Sequence, residues 1–167
     1  MKTLEPSAQV HRTRNDLPER VRHTAVALLN ARLADSIDLM LQAKQAHWNV
    51  RGAGFFSLHE LFDKAYEEVS GYVDLIAERA SQLGGSVGGT VRIAAERSNL
   101  TEYPLTIVDG AKHVEALSMA LATFGELTRK AITEADELGD AATADVFTEV
   151  TRGVDKLLWF VEAHGQR

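Results

Sequence analysis

Apolar residues recur along most of this chain at intervals of three and four, and no segment alternates with the period of two that a strand requires. Leu29, Leu33, Ile37, Met40 and Leu41 make the first stripe. It predicts a helix from Asp16 to about Val50, with Asp16 and Glu19 as a capping pair and Pro18 in the first turn. Leu58, Leu61, Phe62, Ala65, Val69, Tyr72, Val73, Ile76, Ala80 and Leu83 predict a second helix from Ser57 to Leu83. Ser57 with Glu60 would open it, and Gly84-Gly85 would stop it. Val114, Leu117, Leu121, Phe124, Leu127, Ala131 and Ile132 predict a third, from Thr106 (paired with Asp109) to about Leu138-Gly139. Val146, Val150, Val154, Leu157, Leu158 and Val161 predict a fourth, from Asp140 to about Ala163.

The connections set the topology. Arg51–Phe56, with Gly52 and Gly54, is a tight reversal between the first two helices. Gly84–Pro104 is too long for a plain turn at about twenty residues, and VRIAAERS within it suits a short helix at about 91–98. Such a connection carries a chain along the full length of a bundle. The predicted fold is therefore all-α: one four-helix bundle over 16–167, with a long crossover containing a short helix. Residues 1–15, polar and unpatterned, read as a flexible tail.

The second helix carries the chemistry. At about 100° per residue, His59, Asp63, Asp74 and Glu78 fall within a stripe about 100° wide. His59 and Glu78 are nonetheless roughly 28 Å apart along the axis, too far for one metal ion. Their order resolves the conflict. His59 and Glu78 lie symmetrically about the point between residues 68 and 69, and so do Asp63 and Asp74. Against an antiparallel copy of the same helix, His59 meets the partner's Glu78 and Asp63 meets the partner's Asp74, as a two-fold interface allows. His47 and His59 are equidistant from residue 53 in the Gly52/Gly54 turn, so the two histidines are expected to be neighbours. Nitrogen and carboxylate ligands without thiolate suit iron, manganese or zinc. The competing structural reading has Asp63, Asp74 and Glu78 paired with Lys64, Arg79 and water.

Composition narrows the field. A net charge of −6 argues against broad non-specific DNA binding by the body of the monomer. Without cysteine there is no disulfide and no thiolate metal site. No apolar run reaches membrane-spanning length, and the first residues lack the apolar core of a secretory leader, so a cytoplasmic location is expected. No histidine has a glutamate three residues before it, which sets aside the usual di-iron bundle pattern. His59-Glu60-Leu61-Phe62-Asp63 lacks the second histidine of a zinc protease. Trp48, beside His47, either packs at the turn or stands as a redox-active neighbour of a metal; Trp159 and Phe160 suit core or interface packing. Asp140, Asp145 and Glu149 form a second acidic set, with Asp140 the expected cap of the fourth helix.

KQAHWNVRGAGFFSLHELFD and YVDLIAERASQLGG resemble the Dps family, the DNA-binding proteins from starved cells. The resemblance extends to TRNDLP, YPLTIVD and ATADVFTEVTRGVDKLLWFVEAH, nearly the whole chain. It implies a ferritin-like subunit, a shell of twelve copies, and a ferroxidase centre at the two-fold interface. There His47, His59 and Asp63 come from one chain and Asp74 and Glu78 from the other, with Trp48 close by. It further implies that Asp140, Asp145 and Glu149 line an acidic three-fold pore admitting iron. The expected function is oxidation of Fe(II), with hydrogen peroxide as oxidant, storage of Fe(III) in the shell, and protection of DNA. The alternative is an architectural, DNA-compacting protein with little iron turnover. One lysine and two arginines among residues 2–14 predict only weak DNA binding, with nucleoid association where DNA is bound.

Overall fold

The computed structural model describes residues 10–165. Four long helices, α1 (Glu19–Asn49), α2 (Phe55–Gln82), α4 (Gly110–Glu137) and α5 (Ala141–Glu162), enclose one core. The short α3 (Val91–Arg97) lies in the connection between α2 and α4. α1 packs along α2 and α4 along α5; α1 against α4 and α2 against α5 close the bundle. Phe62, Phe124, Phe147, Leu29, Leu33, Leu117, Leu121 and Leu157 are fully enclosed at its centre. The predicted all-α, ferritin-like class, its helix order and its crossover are all present.

Three helix starts differ from expectation. Asp16 does not cap α1; Pro18 holds that place, and the side chain of Asn15 accepts from Leu17 N–H. Ser57 does not cap α2, which begins two residues earlier after Gly54. The Ser57 hydroxyl instead donates to the Gly54 carbonyl at 2.9 Å. In α4 the cap is Asp109 itself, its carboxylate accepting from Ala111 N–H at 2.7 Å, rather than Thr106. A capping pair needs only a polar residue and an acid three apart, so this pattern recurs by chance near real helix starts.

The end of α2 is as expected. Gly84 takes φ +82 and donates to Ser81, and Gly85 donates to Ala80, both at 2.9 Å. This pair of bonds satisfies the last carbonyls of a helix. Gly85 is required for a second reason, because a Cβ there would sit 2.4 Å from Val26 Cγ1 on α1. The crossover then runs back along α1, pinned by a row of its polar side chains. Asn30 receives Gly88 N–H, Asp35 receives Asn99 N–H, Asp38 receives the Ser98 hydroxyl, and Gln42 donates to the Thr101 carbonyl. α1 is thus covered on two sides, which is why Asp35 and Gln42 are buried.

Of the expected flexible tail, residues 1–9 lie outside the described residues. Residues 10–15 are fixed in part: Val10 bridges Gly85, and His11 N–H donates to the Gly84 carbonyl. No helix among the described residues is long and apolar enough to cross a membrane.

Candidate metal centre

The Gly52/Gly54 reversal brings the two histidines together as the spacing predicts. Their rings stack with centroids 3.7 Å apart and planes 23° from parallel. Nδ1 of His47 lies 2.9 Å from the His59 carbonyl, and Nδ1 of His59 lies 2.9 Å from the His47 carbonyl. A carbonyl can only accept, so each Nδ1 carries the proton, and in the neutral ring each Nε2 keeps its lone pair. This is the arrangement that orients a metal-ligating imidazole through its other nitrogen. The His47 carbonyl is among the last four of α1, which have no partner within the helix, and the His59 ring supplies one.

Asp63, one turn along α2 from His59, faces the same spot, its carboxylate 3.9 Å from His47 Nδ1. It does not pair with Lys64. The Lys44 ammonium on α1 is hydrogen-bonded to it, while Lys64 lies over the Phe160 ring. That hydrogen bond, helped by the histidines, lowers the Asp63 pKa below the usual carboxylate range despite some desolvation. Lys44 also sits 4.7 Å from the centre of the Tyr66 ring. Sequence reasoning passed over Lys44; its position one turn before His47, on the same face of α1, was the available signal.

Asp74 and Glu78 are exposed on the same stripe of α2, about 16 Å and 22 Å along the axis from Asp63. Arg79 does not serve them. Its guanidinium turns to α5, where Nη2 meets Asp140 at 2.8 Å and Nε meets the Thr143 hydroxyl at 2.9 Å. Among the described residues of a single chain, no three His, Cys, Asp or Glu side chains converge to hold a metal ion. One chain therefore presents half of the predicted constellation at one end of α2 and half at the other.

The second acidic set divides likewise. Asp140 is 2% exposed, caps α5 by accepting from Thr143 N–H, and holds Arg79. Asp145 and Glu149 are exposed, one turn apart on α5. Trp48 is 65% exposed beside the histidines. Trp159 is equally exposed, so it is no part of this chain's core; its ring lies 4.9 Å from that of Phe160.

This fold and residue pattern match known proteins over nearly the whole chain. The Ferritin family, a ferritin-like domain, matches residues 26–167. The DNA protection during starvation protein of Agrobacterium fabrum is 42% identical over 158 residues, covering 95% of this chain and 98% of that protein. The chain belongs to the Dps family. Among solved structures of Dps proteins, DpsC from Streptomyces coelicolor superposes with a TM-score of 0.92 at 30% identity, over 99% of this chain and 97% of that one. Mycobacterium smegmatis Dps in its tetragonal form gives 0.87 at 32% identity, over 92% and 94%.

Proposed function

We propose that this Dps chain is a ferroxidase. It takes Fe(II) as substrate, oxidises it with hydrogen peroxide, stores Fe(III) inside a shell of twelve copies, and so protects DNA from hydroxyl radical. The observation that carries the reading is the stacked His47–His59 pair. Both Nδ1 atoms are consumed by backbone carbonyls, and two Nε2 lone pairs are offered beside the Asp63 carboxylate. Neutral nitrogen with carboxylate binds Fe(II), and the hard oxygen ligands favour Fe(III). Asp74 and Glu78 of a second chain, running antiparallel across a two-fold axis, would complete each site. Trp48 stands next to the pair as a further source of an electron.

The histidines need no rearrangement before Fe(II) binds, since backbone carbonyls already fix their rings. Asp63 must exchange its Lys44 ammonium for the metal. Asp145 and Glu149, exposed on α5, suit a ring of acids that focuses cations toward a shell pore; Asp140 would act from behind them, setting the helix end and holding Arg79. Zinc or manganese would suit the same ligands in vitro.

Anaerobic loading with Fe(II), followed by separate additions of peroxide and oxygen, tests this reading. Fe(III) absorbance should rise promptly with peroxide in wild type and stay near the uncatalysed rate in His47→Ala. Equal rates in the two proteins would overturn it. The names of the relatives favour a second activity, DNA protection, which direct contact with DNA would serve. Any such contact through residues 2–14 should be weak and should fall with salt on a shallow slope, because that slope scales with the number of phosphates neutralised and few cations are there. Deleting residues 2–14 should abolish DNA retardation; retention would put the contact elsewhere.

A further inference from the structure

The C-terminal half of α2 is tied to α5 at two places, and Asp74 and Glu78 lie between them along the chain. The first tie is Tyr72. The end of its ring lies so close to Gly153 of α5 that a Cβ there would sit 1.6 Å from the phenol oxygen and 2.5 Å from Cζ. The second is Arg79. Nε donates to the Thr143 hydroxyl at 2.9 Å, and Nη2 donates to the Asp140 carboxylate at 2.8 Å. Nη1 turns back to Gln82, the last residue of α2, at 3.4 Å. No side chain other than Arg79 hydrogen-bonds α2 to α5 or its cap among the described residues.

The Arg79 tie is stiffer than a contact between two flexible chains. A guanidinium is planar, so bonds from two of its nitrogens fix its tilt as well as its place. Its acceptors are fixed too. Asp140 is 2% exposed and accepts from Thr143 N–H at 3.1 Å, which locks it onto the first turn of α5. Glu78 is the chain neighbour of Arg79, about 100° round the helix, and faces out. Neither Asp74 nor Glu78 makes an ion pair among the described residues, so the helix beneath them sets where they stand. Glu78 also lies close to the end of α2 at Gln82, where a helix frays unless it is tied down.

We propose that Arg79, with Tyr72 as a second anchor, is a positioning residue for the ferroxidase site. It fixes where Asp74 and Glu78 of its own chain stand against the histidines of a second chain. The inference rests on the ferroxidase reading and on a site shared by two chains. An exposed carboxylate can swing to meet an ion, but only from where its backbone stands, and a ligand must be held to within about 0.5 Å of its productive place. Tying α2 to the capped start of α5 supplies that place without burying the ligands. Loosening the tie should therefore weaken Fe(II) binding first. The rate at saturating Fe(II) should change less, because the ion itself draws the two carboxylates in.

A shared site lets position be separated from stability. Chains carrying Asp74→Ala and chains carrying His59→Ala should each be inactive alone. Assembled together, their mixed dimers hold one complete site, with His59 from the first chain and Asp74 and Glu78 from the second. Arg79→Met is then added to one chain or to the other. On the His59→Ala chain it lies beneath the ligands of the complete site, and the Fe(II) concentration giving half-maximal Fe(III) formation should rise severalfold. On the Asp74→Ala chain it lies beneath the inactive site, and the kinetics should match those of the parent mixture. A general loss of stability would affect both mixtures alike. Two milder variants are placed in the same two ways. Arg79→Lys keeps a cation for Asp140 without the two-point grip, and Gly153→Ala displaces Tyr72 without removing a charge. Both should give the same asymmetry, and both keep the test available where Arg79→Met does not assemble, as thermal melting and assembly size will show. Equal kinetics in the two placements overturns this inference alone. A parent mixture that stays inactive overturns the two-chain site and this inference with it, and absence of Fe(III) in wild type overturns the ferroxidase reading beneath both.

Discussion

The two ends of α2 carry ligands of the same predicted site but are built in opposite ways. At the N-terminal end, His59 and Asp63 are pressed against α1, each held by a specific partner: the His47 carbonyl and ring for one, Lys44 for the other. At the C-terminal end, Asp74 and Glu78 point outward, and neither makes an ion pair among the described residues. What is fixed there is the helix beneath them, through Arg79 and Asp140. Fixed ligands cost little ordering when a metal arrives, whereas exposed carboxylates lose rotamer freedom on binding. A site split this way would be half organised in the monomer and completed only by a second chain.

The strongest test removes one ligand from each half. His59→Ala and Asp74→Ala homo-oligomers should each lose most ferroxidase activity, because every site lacks a ligand. Refolded together, the two chains form mixed dimers in which one site lacks both ligands and the other lacks neither. Those dimers should recover about half of wild-type activity, as an isologous interface requires. Verified hybrids as inactive as their parents would mean that the two ends of α2 do not serve one site.

The next effect is on stability and belongs to the C-terminal half. Arg79→Met leaves the Asp140 carboxylate buried without its cation, at a cost of about 3–5 kcal/mol, to be read by denaturant unfolding. Asp140→Asn should cost less, because the amide oxygen can still cap α5. A loss below about 1 kcal/mol for Arg79→Met, the range of exposed pairs, would show Asp140 to be solvated and open to a pore.

What the sequence made legible follows the same division. Helical periodicity is a long-range signal, so the four long helices, the crossover and the stripe on α2 could all be read from it. The neighbouring histidines could be read because a tight reversal fixes which residues face each other across it. Capping could be read at Asp140 and at Gly84-Gly85 but not at the other three long-helix starts, because which of several polar residues meets a free N–H depends on backbone angles that tertiary packing sets. The partners of buried charges were hidden for a related reason. Arg79 looked like a neighbour of Glu78 along the chain, but a guanidinium reaches across helices and takes the least solvated acid within range, which is Asp140. Lys44 reached Asp63 across helices in the same way.

Acid should loosen the histidine end before the acidic end. His113 is buried in the first turn of α4, beside the Phe62 ring, and burial depresses its pKa below the ordinary 6.5. The unfolded chain therefore takes up this proton more readily than the folded one. The stabilisation is complete above pH 6.5 and is lost as pH falls toward the folded-state value. A single proton limits the slope to about 1.4 kcal/mol per pH unit. Hydrogen exchange should show amides near Phe62 and the start of α4 losing protection as pH drops from neutral, while those around Arg79 and Asp140 hold. Equal loosening at both ends would show that His113 is not its source.

The smallest effect is at Lys44. Lys44 does two things to Asp63: it lowers the carboxylate's pKa, and it holds an oxygen that the proposed metal would need. Asp74 and Glu78 have no such competitor among the described residues. At pH 7 an ordinary aspartate is ionised without help, so in Lys44→Met only the competition is removed. Fe(II) should then bind more tightly, by up to about fivefold, since a partly exposed pair is worth at most about 1 kcal/mol. The comparison belongs at neutral pH, because a ligating imidazole must be unprotonated. Anaerobic Fe(II) titrations at pH 7 should therefore place the Lys44→Met curve at lower Fe(II) than wild type. Lys44→Arg, which keeps both the charge and the obstruction, should follow wild type. Coincident curves for Lys44→Met and wild type would mean that Lys44 does not guard Asp63, and that the two ends of α2 differ only in burial.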